Sequence, residues 1–219
     1  MLEQAPQQAE WLALLILGGP VVLVLLFMSV VALAVTLYKL LQIRAFSKRS
    51  LNQLDDAVTG WCRGDDGALA LAEASRSPLS AMICDGMRWL GTDGSDRAAV
   101  EAELTRMAQR ILQRLNSLLG ILEQVAYLAP LLGLLGTVLG IIDVFHGLAE
   151  QGANADSGQL AGGIWEALLT TAVGLCVAIP FALVHAGLQG RIDAVRARTE
   201  DMLTRLFTAG LYRSPGGGD

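Results

Sequence analysis

Three threonines and one glutamate stand in stretches where an apolar chain has little use for them. Thr137 lies in Ala129-Pro130-Leu131-Leu132-Gly133-Leu134-Leu135-Gly136-Thr137-Val138-Leu139-Gly140. Glu166, Thr170 and Thr171 lie in Ile164-Trp165-Glu166-Ala167-Leu168-Leu169-Thr170-Thr171-Ala172-Val173-Gly174-Leu175. A carboxylate or hydroxyl inside an apolar segment of this length must face protein or water, because acyl chains offer it no partner. The chemistry open to such a set is narrow. A hydroxyl takes part in proton hydrogen bonding, and a carboxylate attracts cations and relays a proton if burial raises its pKa. Each residue also has a plainer reading. A membrane threonine can bond the carbonyl one turn back, and Glu166 at the end of its span can be an interfacial charge.

The elements that carry these residues are helices with small-residue faces. Gly133, Gly136, Thr137 and Gly140 follow an i, i+3, i+4, i+7 pattern and share one helix face. Gly136 and Gly140 form a small-xxx-small pair that admits another helix. Thr171, Gly174 and Ala178 fall at i, i+3, i+7, and Thr170, about 100° round from Thr171, is expected to face another helix. Pro130 and Pro180 are expected to bend their helices and free carbonyls for packing or gating.

The chain has 219 residues, 53% of them hydrophobic, and a net charge of −5. Runs of 28, 19 and 24 uncharged residues follow Glu10, Glu123 and Glu166. A bilayer core of about 30 Å takes about 20 apolar helical residues, so each run qualifies as a span. The first is too long for a signal-peptide core and lacks a basic leader, so it reads as a retained helix. All 16 Lys and Arg lie in 39–114 or 191–213. Basic residues mark the cytoplasmic side, which puts the N-terminus in the periplasm and the C-terminus in the cytoplasm. Tyr38, Lys39 and Arg44 anchor the inner end of the first span. No basic patch with interleaved aromatics suggests nucleic acid.

The expected organisation is all-α. A periplasmic segment covers 1–10, with Trp11 at the headgroup level, and membrane helix 1 covers 11–42. A cytoplasmic helical domain covers 43–117. Membrane helix 2 covers 118–147, a periplasmic loop 148–160 and membrane helix 3 161–190. A cytoplasmic helix extension covers 191–213 and a disordered tail 214–219. Asp96 caps a helix whose stripe is Val100, Leu104, Met107, Ile111, Leu115 and Leu118. With no breaker before Pro130, that helix is expected to run unbroken over 96–147, about 75 Å. Cys62, Cys84 and Cys176 show no C-x-x-C spacing and read as unpaired thiols. His146 and His185 have no second ligand nearby, and no metal site is expected. No Walker loop, H-E-x-x-H, G-x-S-x-G or cofactor fingerprint occurs, so neither a cofactor nor an enzyme activity is expected.

The runs APLLGLLGTVLGIIDVF and IWEALLTTAVGLCVAIPFALV resemble the two membrane-helix signatures of the ExbB/TolQ/MotA family, the larger subunits of proton-driven motors in bacterial inner membranes. Three spans rather than four favour the ExbB/TolQ kind. The resemblance implies a homopentamer whose second and third helices, extended into the cytoplasm, surround a central pore. It implies that Thr137, Thr171 and Glu166 line the proton path, and that Pro130, Gly133, Gly136, Gly140, Gly174 and Pro180 pack or bend the helices. It further implies an ExbD/TolR-like single-span partner with an essential aspartate, two copies of which sit in the pore, and a TonB/TolA-like periplasm-spanning protein. Asp143 and Glu123 read as end-of-span charges. A rival reading is a non-conducting scaffold for partner helices. A small-solute transporter is disfavoured by three spans without an inverted repeat.

Overall fold

The computed structural model describes residues 19–92, 94–151 and 157–212. The expectations for 1–18, for 152–156 of the outer loop and for the tail beyond 212 lie outside these. Among the described residues there are seven helices and no strand. They are α1 (Gly19–Arg44), α2 (Lys48–Arg63), α3 (Ala68–Glu73), α4 (Ser80–Leu90), α5 (Arg97–Asn116), α6 (Leu119–Gln151) and α7 (Ser157–Tyr212). Three helical stretches, within Gly19–Arg63, Arg97–Glu150 and Leu160–Ala209, are long and apolar enough to cross a membrane. Helix α7 begins at Ser157, ahead of the expected 161, and continues as one helix to Tyr212. The chain forms two compact units, Met1–Leu37 with Leu118–Gly187, and Tyr38–Ser117 with Leu188–Asp219.

The first unit holds α1, α6 and α7 by small-residue packing. Its core is Leu25, Ala129 and Ala178, lined by Val21, Leu132, Val173 and Val177. Large apolar side chains such as Phe27, Leu134, Phe145, Leu168 and Leu183 point outward. An outward apolar surface of this extent suits lipid, since water would penalise it. Between α6 and α7 the backbones touch. A Cβ on Gly174 would lie 2.6 Å from the Ala129 carbonyl oxygen and 3.1 Å from Gly133 Cα. One on Gly133 would lie 2.9 Å from the Thr170 carbonyl oxygen, and one on Gly140 would lie 2.8 Å from Ala167 Cβ. Glycine is therefore required here by space.

The second unit is built as a water-soluble domain is. Leu51, Leu54 and Val58 on α2, Met82, Ile83 and Met87 on α4, and Leu104, Leu112 and Leu115 on α5 are buried. Ile192, Val195, Met202, Leu203 and Leu206 on α7 are buried too, so the helical stripe beyond Arg191 belongs to this unit's core. Gly86 lets α4 lie close on α5, where an added Cβ would meet Leu104 Cδ1 at 2.8 Å. Ser47 caps α2 by accepting from the Ser50 amide, and Gly64 ends it at φ +84°, which suits glycine. Arg205 pairs with Asp55, with Asp201 at 2.8 Å, and donates to Thr59 at 3.0 Å. Burial opposes its charge, but the two carboxylates outweigh that and hold the proton more firmly than usual. None of the three cysteines forms a disulfide, Cys62 Sγ lies 3.6 Å from Arg205 O, and burial pushes the Cys84 thiol up.

One expectation fails. The helix expected over 96–147 is broken, because α5 ends at Asn116 and α6 starts at Leu119. Between them Ser117 is extended (ψ 149°) and Leu118 takes φ +66°. A left-handed non-glycine residue costs about 1–2 kcal/mol, so tertiary contacts must hold it. As a result Leu118 drops out of the buried stripe and is 44% exposed. Near the end of α1, Lys39 is turned into the protein. It is fully buried, with its ammonium donating to Gln42 Oε1 (2.7 Å), Leu115 O (2.9 Å) and Arg114 O (3.4 Å).

Two substitutions follow from this packing. Gly174→Ala puts a methyl against backbone that cannot yield and is expected to destabilise the first unit by about 1–3 kcal/mol. Gly187→Ala has nothing within 4 Å and is expected to gain up to about 1 kcal/mol from helix propensity. Unfolding in bicelles followed by circular dichroism checks the opposite signs. Asp96 accepts from the Ala98 and Ala99 amides at 3.1 and 3.3 Å. Asp96→Ala should therefore cost about 1 kcal/mol, read as faster hydrogen exchange at those two amides.

Candidate functional site

The polar residues of the two apolar signatures gather where α6 meets α7. Spans exclude water, so each hydroxyl must find its acceptor in the protein. Thr137 Oγ1 donates to Leu134 O at 2.6 Å, within its own helix. Thr170 Oγ1 lies 2.7 Å from Ala167 O and 3.1 Å from Gly133 O, and its single proton is shared between them. Thr171 Oγ1 donates to Gly133 O at 3.0 Å. One carbonyl of α6 therefore receives two hydroxyls of α7.

Burial grades the three. Thr170 is 4% exposed and Thr137 8%, whereas Thr171 is half-buried. Thr170 fits the notch left by Gly136, where an added Cβ would sit 2.5 Å from its hydroxyl oxygen. The expected facing of Thr170 toward another helix is thus observed. The set that packs on α6 includes Ala167, Thr170, Gly174 and Ala178, a spacing of 3, 4 and 4, while Thr171 stands at its edge.

The committed hydroxyl protons define what this arrangement does chemically. Each threonine gives its hydrogen to a carbonyl and keeps oxygen lone pairs. A hydroxyl so engaged can only accept a further hydrogen bond, and Thr171 is the least buried of the three.

Glu166 is half-buried one turn before Thr170 on α7. Asp143, Glu123 and His146 are exposed, and His146 Nδ1 is 3.6 Å from Glu150 Oε1. His185 and Pro130 are half-buried, and Pro180 is exposed. Gly133, Gly136 and Gly174 are buried and Gly140 half-buried. Among the described residues no group of three or more His, Cys, Asp or Glu is placed to hold a metal ion. Residue types alone pointed to the threonines and glycines. They missed Ala167, Gly163, where an added Cβ would collide with Val144 Cγ2, and the carbonyl of Gly133. The recurrence of small residues at 163, 167, 170, 174 and 178 was the available signal for the first two. A carbonyl's role has no signal in residue type.

The model of the MotA/TolQ/ExbB proton channel family matches residues 74–201, more than half of the chain. An ExbB homologue of Methanothermobacter thermautotrophicus, named as a biopolymer transport protein, is 32% identical over 178 residues, 80% of this chain and 62% of that protein. Biopolymer transport protein exbB1 of Vibrio cholerae is 46% identical over 65 residues, 30% of this chain and 28% of that one. The Tol-Pal system protein TolQ of Pseudomonas aeruginosa is 36% identical over 96 residues, 44% of this chain and 38% of its own. The chain spans less than two thirds of the length of each of these three relatives. The matched segment contains both apolar signatures, the glycine contacts between α6 and α7 and all three threonines, and on that ground the chain belongs to the MotA/TolQ/ExbB proton channel family, as a membrane protein of the ExbB/TolQ type.

Proposed function

We propose that this chain is the pore-forming subunit of a proton-driven motor in a bacterial inner membrane, with its N-terminus periplasmic and its C-terminus cytoplasmic. Five copies surround a pore lined by α6 and α7. A small ExbD/TolR-like partner with one membrane helix supplies an aspartate to that pore, in two copies. Protons pass between that aspartate and the ring of Thr137 and Thr171, with Glu166 as the carboxylate that gathers cations at one end. The resulting movement acts on periplasmic or outer-membrane machinery, through a TonB/TolA-like protein that spans the periplasm.

The observation that carries this reading is the state of the threonine hydroxyls. Thr137 and Thr171 both have their protons committed to carbonyls of α6. What remains is an acceptor, which favours the protonated, neutral form of a nearby carboxylic acid over its anion. The chain itself has no Asp or Glu between Glu123 and Asp143 or between Glu166 and Asp193. A proton-binding carboxylate in mid-membrane therefore has to come from a partner. The fully packed Thr170 serves the helix contact instead.

The test is proton flux into liposomes holding the chain and its single-span partner. Thr137→Val with Thr171→Val keeps side-chain volume and removes both hydroxyls. A loss of about tenfold or more is expected, within the usual range for positioned proton-transfer groups. Full flux in the double variant would leave the scaffold reading in its place. Glu166→Gln is expected to impair flux less and to leave assembly intact. Assembly itself is read by native mass, where five times the 23.2 kDa chain gives about 116 kDa plus lipid.

A further inference from the structure

The break between α5 and α6 is not marked by a helix-breaking residue. Arg97 to Leu119 contains neither glycine nor proline, and its apolar stripe favours a helix running on. In an unbroken helix the amide of Leu118 donates to Arg114 O and that of Leu119 to Leu115 O. Here both of those carbonyls are taken by a residue about 75 positions earlier in the chain. Lys39 Nζ donates to Leu115 O at 2.9 Å and to Arg114 O at 3.4 Å. Its third donor goes to Gln42 Oε1 at 2.7 Å. Ser117 adds a local contribution, its hydroxyl donating to Arg114 O at 2.7 Å.

Lys39 is 0% exposed, so its ammonium depends on these three acceptors. A cation at the C-terminal end of a helix also meets the negative end of the helix dipole. The two carbonyls thus gain a charged donor in place of neutral amides, and charge-assisted bonds are the stronger ones. The exchange leaves Leu118 at φ +66°, a conformation that leucine does not choose by itself.

We propose that Lys39 imposes the break, acting as a helix stop delivered from α1, and that a helix continuous through Ser117 and Leu118 is the alternative state that it holds off. Apart from the Ser117 hydroxyl on Arg114 O, the local sequence supports the continuous form. The broken form lasts as long as the ammonium occupies the two carbonyls. This inference concerns the chain's own conformation and stands whether or not the protein conducts protons.

The experiment uses the full chain in lipid nanodiscs and compares the native protein with Lys39→Met, which keeps the length of the side chain and removes its donors. Isotope-resolved NMR of Leu118 is expected to move from left-handed to helical carbon shifts. The amides of Leu118 and Leu119 are expected to gain about tenfold or more in exchange protection as they take over the freed carbonyls. A variant that keeps the left-handed shifts and the exchange rates of the native protein overturns the proposal, since the break would then be encoded locally. If the variant does not fold, the native protein still decides. Lys39 and Lys48 are the only lysines in the chain, so a 15N-lysine spectrum has two side-chain signals. The Lys39 ammonium should exchange at least about tenfold more slowly than that of Lys48 and show a through-bond or dipolar contact to the Leu115 carbonyl. Equal exchange and no such contact would sink the idea.

Discussion

In lipid, one apolar helix gains nothing by leaving acyl chains for another apolar helix, so helices are held by close packing and by hydrogen bonds the bilayer does not offer. The contact of Gly133 with Gly174 meets both demands at one place. With no side chains there, the backbones of α6 and α7 come close enough that any added Cβ would collide with a carbonyl or a Cα. That closeness brings Gly133 O within 3.0–3.1 Å of the Thr171 and Thr170 hydroxyls. Remove the glycines and the hydroxyls lose their acceptor. Remove the hydroxyls and the helices keep contact but lose the polar bonds across it. Packing and chemistry at this site are therefore one constraint.

Much of this was legible in the sequence, for a physical reason. Small residues at 133, 136, 140 and 174 repeat at helical spacing, and three long uncharged runs announce spans; both signals depend only on local pattern. The cap at Asp96 is likewise written within a few residues. Non-local effects were not legible. No glycine or proline at Ser117-Leu118 marks a break, and beside the Ser117 hydroxyl the donor that takes the carbonyls is the distant Lys39. Lys39 itself looks like an ordinary end-of-span lysine until the helices are assembled. Thr170 and Thr171, adjacent and identical in type, separate by burial only once the packing face is known.

The two units solve the problem of buried polar groups in different ways. In the unit of α6 and α7, the polar side chains are small hydroxyls that bond to backbone carbonyls one turn away or one helix across. In the other, charges are admitted and paired. Arg205 gathers Asp55 and Asp201, Glu73 meets Arg88, and Lys39 is wrapped by three oxygen acceptors. A buried ammonium without such acceptors would cost several kcal/mol, so the lysine and the carbonyls depend on each other. Partly exposed pairs such as Glu73 with Arg88 contribute little by comparison.

These two strategies bear on where a proton can rest. An ionisable group in mid-membrane must be neutral or partnered, and this chain places none between Glu123 and Asp143 on α6. What it offers at that depth is oxygen with no hydrogen to give. A surface of acceptors stabilises a carboxylic acid that still holds its proton, and it offers nothing to the carboxylate left behind after release. On the proposed reading, that asymmetry is the useful property. It lets an acid carried by a partner helix remain neutral while it faces the threonines, and it makes loss of the proton unfavourable until the acid reaches water or a cation. On the same reading, substituting a glutamate for either threonine would reverse the preference, because the proposed pore wall would then compete with the partner for the same proton.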